Sequence, residues 1–142
     1  MLRCLALFLS LLIAPLGADA CEPQFRAGMV AFAAADRALR AAEETLYSGL
    51  GWASRGRVLE RLEARSGLTT ACDEVAVLRH DMLAASRQLD HARTQFGLAR
   101  ALCMGENQRR AAANLVALAD TGMAIATQTE FLNDLAARCR SP

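Results

Sequence analysis

The sequence predicts an all-α protein: an antiparallel up-down helical bundle of three long segments, the first broken by a glycine joint near 48–51, tied by two disulfides. Three observations carry this expectation. Proline stands only at Pro15, Pro23 and Pro142, so a long interior runs without a proline break. Apolar residues recur at alternating three- and four-residue spacing over two long stretches. Four cysteines, Cys21, Cys72, Cys103 and Cys139, fall near the ends of the predicted segments. Aromatic and β-branched runs are sparse, so strand signals are weak.

The chain opens with Met1, Leu2 and Arg3, then runs apolar from Cys4 to Leu16 with only Ser10 interrupting. Gly17, Ala18, Asp19 and Ala20 follow, with alanine at both positions a signal peptidase needs small. This is the plan of a secretory signal peptide over 1–20, with cleavage expected after Ala20. An apolar run of about thirteen residues spans about 20 Å as a helix, short of the roughly 30 Å hydrocarbon core. No stable membrane span is therefore expected after cleavage, and the place of the protein is periplasmic or secreted. A chain beginning at Cys21 also raises lipidation of that cysteine. Ala18 and Asp19 fit a lipoprotein signal poorly, and acylating Cys21 would strand one of four thiols.

The expected mature domain is 21–142. Removing twenty residues from 142 leaves 122, enough for one modest core. Its first helix is placed from about Pro23, a favoured first-turn residue, to about Tyr47. The predicted stripe is Phe25, Met29, Phe32, Ala35, Leu39, Ala42 and Leu46. Ser48, Gly49, Leu50 and Gly51 interrupt it. A shorter helix from Trp52 to Arg65 carries Trp52, Val58, Leu59 and Leu62 as its apolar residues, and Ser66-Gly67 ends it.

The strongest periodicity follows. Leu68, Val75, Met82, Leu89, Phe96 and Cys103 recur every seven residues, with Ala71, Leu78, Ala85, Ala92 and Ala99 between them. Such a pattern over five heptads predicts a coiled-coil-like seam in which alanine permits close approach. Thr69 or Thr70 is the expected cap, and Gly105 the expected stop. The last helix, capped by Asn107, places Ala111, Leu118, Ile125, Leu132 and Cys139 on one line and Leu115, Gly122, Thr129 and Ala136 on the other. Val116, Met123, Phe131 and Leu135 widen this stripe toward a second neighbour.

Helix length then selects the disulfides. Cys72 and Cys103 on one helix would stand about 46 Å apart at 1.5 Å per residue, against about 7 Å that a disulfide spans. Cys72 lies 33 residues before Gly105 and Cys139 lies 34 after it, so a straight hairpin sets them side by side. The remaining pair is Cys21–Cys103. Each bond adds roughly 4 kcal/mol on the chain-entropy model.

Charge and motifs exclude more than they assign. The chain has no lysine, and loss of Arg3 and Asp19 would leave 15 arginines against 14 acids. This near-neutral balance gives no electrostatic case for nucleic acid. No Cys-x-x-Cys pair supports a redox or zinc site, and no Cys-x-x-Cys-His attaches haem. His80 and His91 share a helix face but sit about 16 Å apart, too far to hold one metal together. Met29, Met82, Met104 and Met123 form no cluster in sequence, and the first two lie on core stripes. Asp81, Asp90, Glu130 and Asp134 show no Glu-x-x-His pattern, and no Gly-x-Ser-x-Gly turn is present. No cofactor is expected, and nothing supports an enzyme.

Arg55, Arg57, Arg61 and Arg65 make the short helix basic, with Glu60 and Glu63 interleaved. A solvated charged face accounts for them in the first instance. Trp52, Arg57, Arg61 and Arg65 are nevertheless the partner-binding candidates, because those residue types dominate binding hot spots. The leading expectation is a non-enzymatic adaptor, chaperone-like protein or inhibitor whose partner is another envelope or secreted protein. The alternative is a ligand- or metal-binding helical bundle. An exposed seam would also let the chain pair with a second copy.

Overall fold

The computed structural model describes residues 21–48 and 56–140. The stretch 1–20 expected to be a signal peptide, most of the glycine joint and Trp52 lie outside these described residues. Within them the chain forms four helices, α1 (Glu22–Tyr47), α2 (Val58–Ser66), α3 (Leu68–Leu102) and α4 (Gly105–Cys139), and no strand.

Helix α3 lies between α1 and α4 and packs along both. Its buried line is Ala71, Val75, Leu78, Met82, Ala85, Leu89, Ala92, Phe96 and Ala99, the heptad positions read from the sequence. Only Leu68, in the first turn, departs from that line and stands 45% exposed. The start of α1 meets the end of α3, where Cys21 bonds Cys103 and the Phe25 and Phe96 ring centroids lie 5.7 Å apart. The start of α3 meets the end of α4, where Cys72 bonds Cys139. Helix α3 therefore runs antiparallel to both neighbours, and the two bonds sit at opposite ends of the bundle. Their Cα separations are 5.2 and 5.8 Å, within disulfide reach.

The buried line of α1 differs from expectation near its start. Phe25, Gly28, Ala31, Ala35, Leu39, Ala42 and Leu46 are buried, whereas Met29 is 41% exposed and Phe32 only packs against the core edge. The cause is Phe96, whose ring occupies the space above Gly28. A Cβ at position 28 would stand 2.9 Å from two of its carbons. Small residues must face α3 there, and Met29 is turned toward α4, where the Asn114 amide donates to its sulfur at 3.4 Å.

Helix α2 begins at Val58, after a short 3₁₀ turn at Gly56 and Arg57, and the expected start at Trp52 lies outside the described residues. It packs on α3 through Val58 and Leu62, both fully buried. A single residue, Gly67, separates α2 from α3. Its φ of +81° lies in the left-handed region that glycine reaches without strain. The reversal is so short that α3 starts at Leu68, with no side-chain cap. Thr69 and Thr70 are therefore exposed first-turn residues, not caps. The Gly67 N–H donates to the Glu63 carbonyl at 2.7 Å, and the Gly67 carbonyl accepts from Ala71 N–H at 3.0 Å.

The second reversal is equally short. Helix α3 ends at Leu102, Cys103 and Met104 are extended, and Gly105 (φ +60°) opens α4 instead of closing α3. Asn107 consequently lies inside the first turn of α4 and is not its cap. Along α4, Ala111, Leu118, Ile125 and Leu132 are buried as expected. The second line is Gln128 and Leu135, with Leu115, Gly122, Thr129 and Ala136 half-buried. The expected wide stripe forms only in its second half: Leu135 is buried and Phe131 packs against the core, whereas Val116 is 69% and Met123 63% exposed. The reason is the thin contact between α4 and α1, which single side chains bridge. Arg110 stands over the Phe25 ring at 5.1 Å, and Tyr47 stacks on Phe131 at 6.2 Å. The Tyr47 hydroxyl also donates to Gln128 Oε1 at 3.0 Å.

Candidate functional site

The basic helix α2 is built largely for internal use. Arg61, one helical turn after the buried Val58, points back at the open C-terminus of α1. Its guanidinium donates to the Leu46 carbonyl at 2.7 Å, the Thr45 carbonyl at 3.2 Å and the Ser48 carbonyl. A helix leaves its last carbonyls without intrahelical donors and carries partial negative charge there, so a cation at this end satisfies both needs. Arg65 donates from Nη2 to both carboxylate oxygens of Glu74 of α3, at 2.8 and 2.7 Å. Arg57 is exposed at the start of α2. The structure thus spreads the three arginines over distinct tasks. Trp52 and Arg55 lie outside the described residues.

The histidines stand on the outer surface of α3, both exposed. His91 helps line an open groove of about 740 Å³ between α1 and α3, beside Pro23, Arg26, Ala27, Val30 and Gln88. Glu22 pairs with Arg26 at its rim at 3.2 Å. A second groove of about 700 Å³ runs between α3 and α4. Gly122 and Leu89 both line it, and a Cβ on Gly122 would stand 3.8 Å from Leu89 Cδ1. Leu89 and Ile125 form its floor, while Leu83, Met123, Asp90 with Arg93, and Glu130 form its margins.

The four acids singled out from the sequence do not converge on one site. Asp90 pairs with Arg93 at 2.8 Å, Asp81 is half-buried, and Glu130 and Asp134 are exposed. Among the described residues, no three of His, Cys, Asp and Glu gather as a metal would require. Met82 is a fully buried core residue, whereas Met104 is 75% exposed at the α3–α4 turn. Glu106 stands in the first turn of α4 and pairs with Arg109 at 2.6 Å. The hydrogen bond and charge of Arg109 hold it below the usual carboxylate range. Among the described residues, no helix is long and apolar enough to cross a membrane.

Two features escaped the sequence. Gln128 is 2% exposed in an otherwise apolar interior, because Tyr47 reaches it from α1. Arg61 serves as a C-terminal cap for a helix that ends fourteen residues earlier. Neither pairing leaves a local spacing signal. Compared with models of protein families, with curated proteins and with solved structures, the chain matches none.

Proposed function

We propose that this chain is a non-enzymatic protein-binding module of the cell envelope or the secreted space, acting as an adaptor, chaperone-like factor or inhibitor. One observation carries the reading: large apolar side chains are held in water on all three long helices. Val30, Val77, Val116 and Met123 stand 60 to 69% exposed. Met123 and the half-exposed Leu83 stand together at the margin of the α3–α4 groove, and apolar surface gathered at a groove marks interaction sites. Two disulfides support the reading by fixing that surface before a partner arrives, which lowers the ordering cost of binding. They also agree with an oxidising compartment and with the expected signal peptide. The partner on this view is another envelope or secreted protein, and the exposed Arg57 adds to the surface offered to it.

The test uses the purified full chain as bait in envelope extract and in culture supernatant, beside a Val116→Asp, Met123→Asp variant. A protein retained by the parent and lost from the variant supports the reading; identical retention by both refutes it. Fractionation with N-terminal sequencing tests export, which requires the chain outside the cytoplasm beginning at Cys21. Sedimentation velocity decides whether the partner is a second copy.

A ligand-binding bundle is the second reading, favoured by the two open grooves. Native mass spectrometry of the chain taken from its own compartment reads it directly. A retained small molecule favours a ligand, and a bare chain mass argues against one.

A further inference from the structure

The two disulfides differ in their surroundings. Cys21 and Cys103 are each 2% exposed and lie within the core. Cys72 and Cys139 are both partly exposed. Cys139 is the last residue of α4, and Cys72 stands in the second turn of α3, behind the exposed Leu68, Thr69 and Thr70. Thiol–disulfide exchange needs a thiolate to reach one sulfur, so access governs which bond reacts. Both bonds join helix ends, which open at small free-energy cost, but only Cys72–Cys139 is already partly exposed before any opening.

We propose that Cys72–Cys139 is a redox-sensitive clamp that opens before Cys21–Cys103 and frees the end of α4 while the bundle stays folded. The reductant is a dithiol. One of its thiolates attacks Cys139 Sγ, the protein S–S bond breaks, and Cys72 leaves as a thiolate that takes a proton. The second reductant thiol, as its thiolate, then attacks the mixed disulfide and releases Cys139, which is protonated in turn. Two electrons pass to the protein pair, and the reductant leaves as its own disulfide.

The core explains why opening is local. Leu132 and Leu135 are buried and anchor α4, but beyond them Ala136 is half-buried and Ala137 and Arg138 are exposed. With the bond gone, the final turn keeps little besides its own backbone hydrogen bonds. Helix α3 keeps its start, because Ala71 and Val75 are buried and Arg65 still holds Glu74.

The experiment treats the oxidised full chain, with Cys4 blocked by N-ethylmaleimide, with limiting dithiothreitol, then alkylates with iodoacetamide and maps the peptides. The expected first product carries label on Cys72 and Cys139, retains Cys21–Cys103 and keeps its helical circular dichroism. Local opening makes this bond about tenfold or more faster to reduce than the buried one. Hydrogen exchange in that product accelerates over 136–140 and not over 22–31. Label appearing first on Cys21 and Cys103, or on all four together, overturns the proposal. So does unchanged exchange at the end of α4. A Cys72→Ser, Cys139→Ser variant must fold with Cys21–Cys103 intact and show the same exchange pattern; failure to fold refutes the clamp.

Discussion

Replacing Gly28 with alanine sets steric fit against helix propensity in a way the structure resolves. In an ordinary helix interior the change is favourable by about 1 kcal/mol, because alanine loses less backbone freedom on folding. At position 28 the new Cβ would lie 2.9 Å from Cδ1 and Cε1 of Phe96 and 3.1 Å from Cγ. The ring has no free direction to yield: Phe96 is fully buried and meets Phe25 edge-on at 5.7 Å, with Arg110 over Phe25. Overpacking of this kind costs about 1–3 kcal/mol, and the hemmed ring places the cost high in that range. Subtracting the propensity gain leaves a net loss of about 1–2 kcal/mol, or a melting temperature lower by roughly 3–8 °C for a domain of this size. Gly97, also within a helix, has nothing within 4 Å of its added Cβ, so Gly97→Ala stabilises by about 1 kcal/mol. Gly122 is intermediate, with Leu89 Cδ1 at an ordinary 3.8 Å, and its alanine variant also stabilises. Urea unfolding of the oxidised protein, followed by far-UV circular dichroism, measures all three. A Gly28→Ala protein as stable as its parent would show that α1 and α3 do not approach as described.

The other expected outcomes concern polar contacts. Arg61→Ala strips donors from three carbonyls at the end of α1 and costs about 1–3 kcal/mol in urea unfolding, with faster hydrogen exchange over 44–48. Arg61→Lys recovers only part of this, since an ammonium lacks the planar fork; full recovery would refute the capping geometry. Tyr47→Phe removes one hydrogen bond to the buried Gln128 amide and costs about 0.5–1.5 kcal/mol, and a silent variant would refute the polar bridge. Glu106 titrates below the usual carboxylate range because Arg109 bonds it. Its stabilising effect is present above the unfolded pKa and lost as pH falls through the lowered one. In Arg109→Ala the NMR midpoint of Glu106 moves up toward the ordinary value, and an unmoved midpoint would refute the pairing.

Legibility varied with how many neighbours each helix must satisfy. Helix α3 is flanked on two sides, so its heptad pattern had to be strict, and all of its buried positions follow the expected spacing. The disulfide pairing was readable for a simpler reason, since a fixed rise per residue forbids bonds along one long helix. Helix α1 was less readable because Met29 and Gly28 both fit a period of 3.6. Only the bulk of Phe96 on another helix decides between them. On α4, Val116 and Met123 were expected to face a second neighbour, but α1 reaches α4 through single long side chains and leaves both in water. The candidate arginines were visible as a basic face. Their division into cap, ion pair and exposed residue depends on how α2 folds back, which no local spacing encodes.

The disulfides also interlace along the chain. Cys72 lies inside the loop that Cys21 and Cys103 close, and Cys103 lies inside the loop that Cys72 and Cys139 close. Every peptide bond from Cys21 to Cys139 therefore belongs to at least one covalent ring, and those between Cys72 and Cys103 belong to two. A protease that cuts once in the connection between α1 and α2, or anywhere else in this span, produces two chains that are still one molecule. Nicked protein would run as a single species until a reductant is added. Against any endoprotease, this crossed linkage makes one cut insufficient to release a fragment.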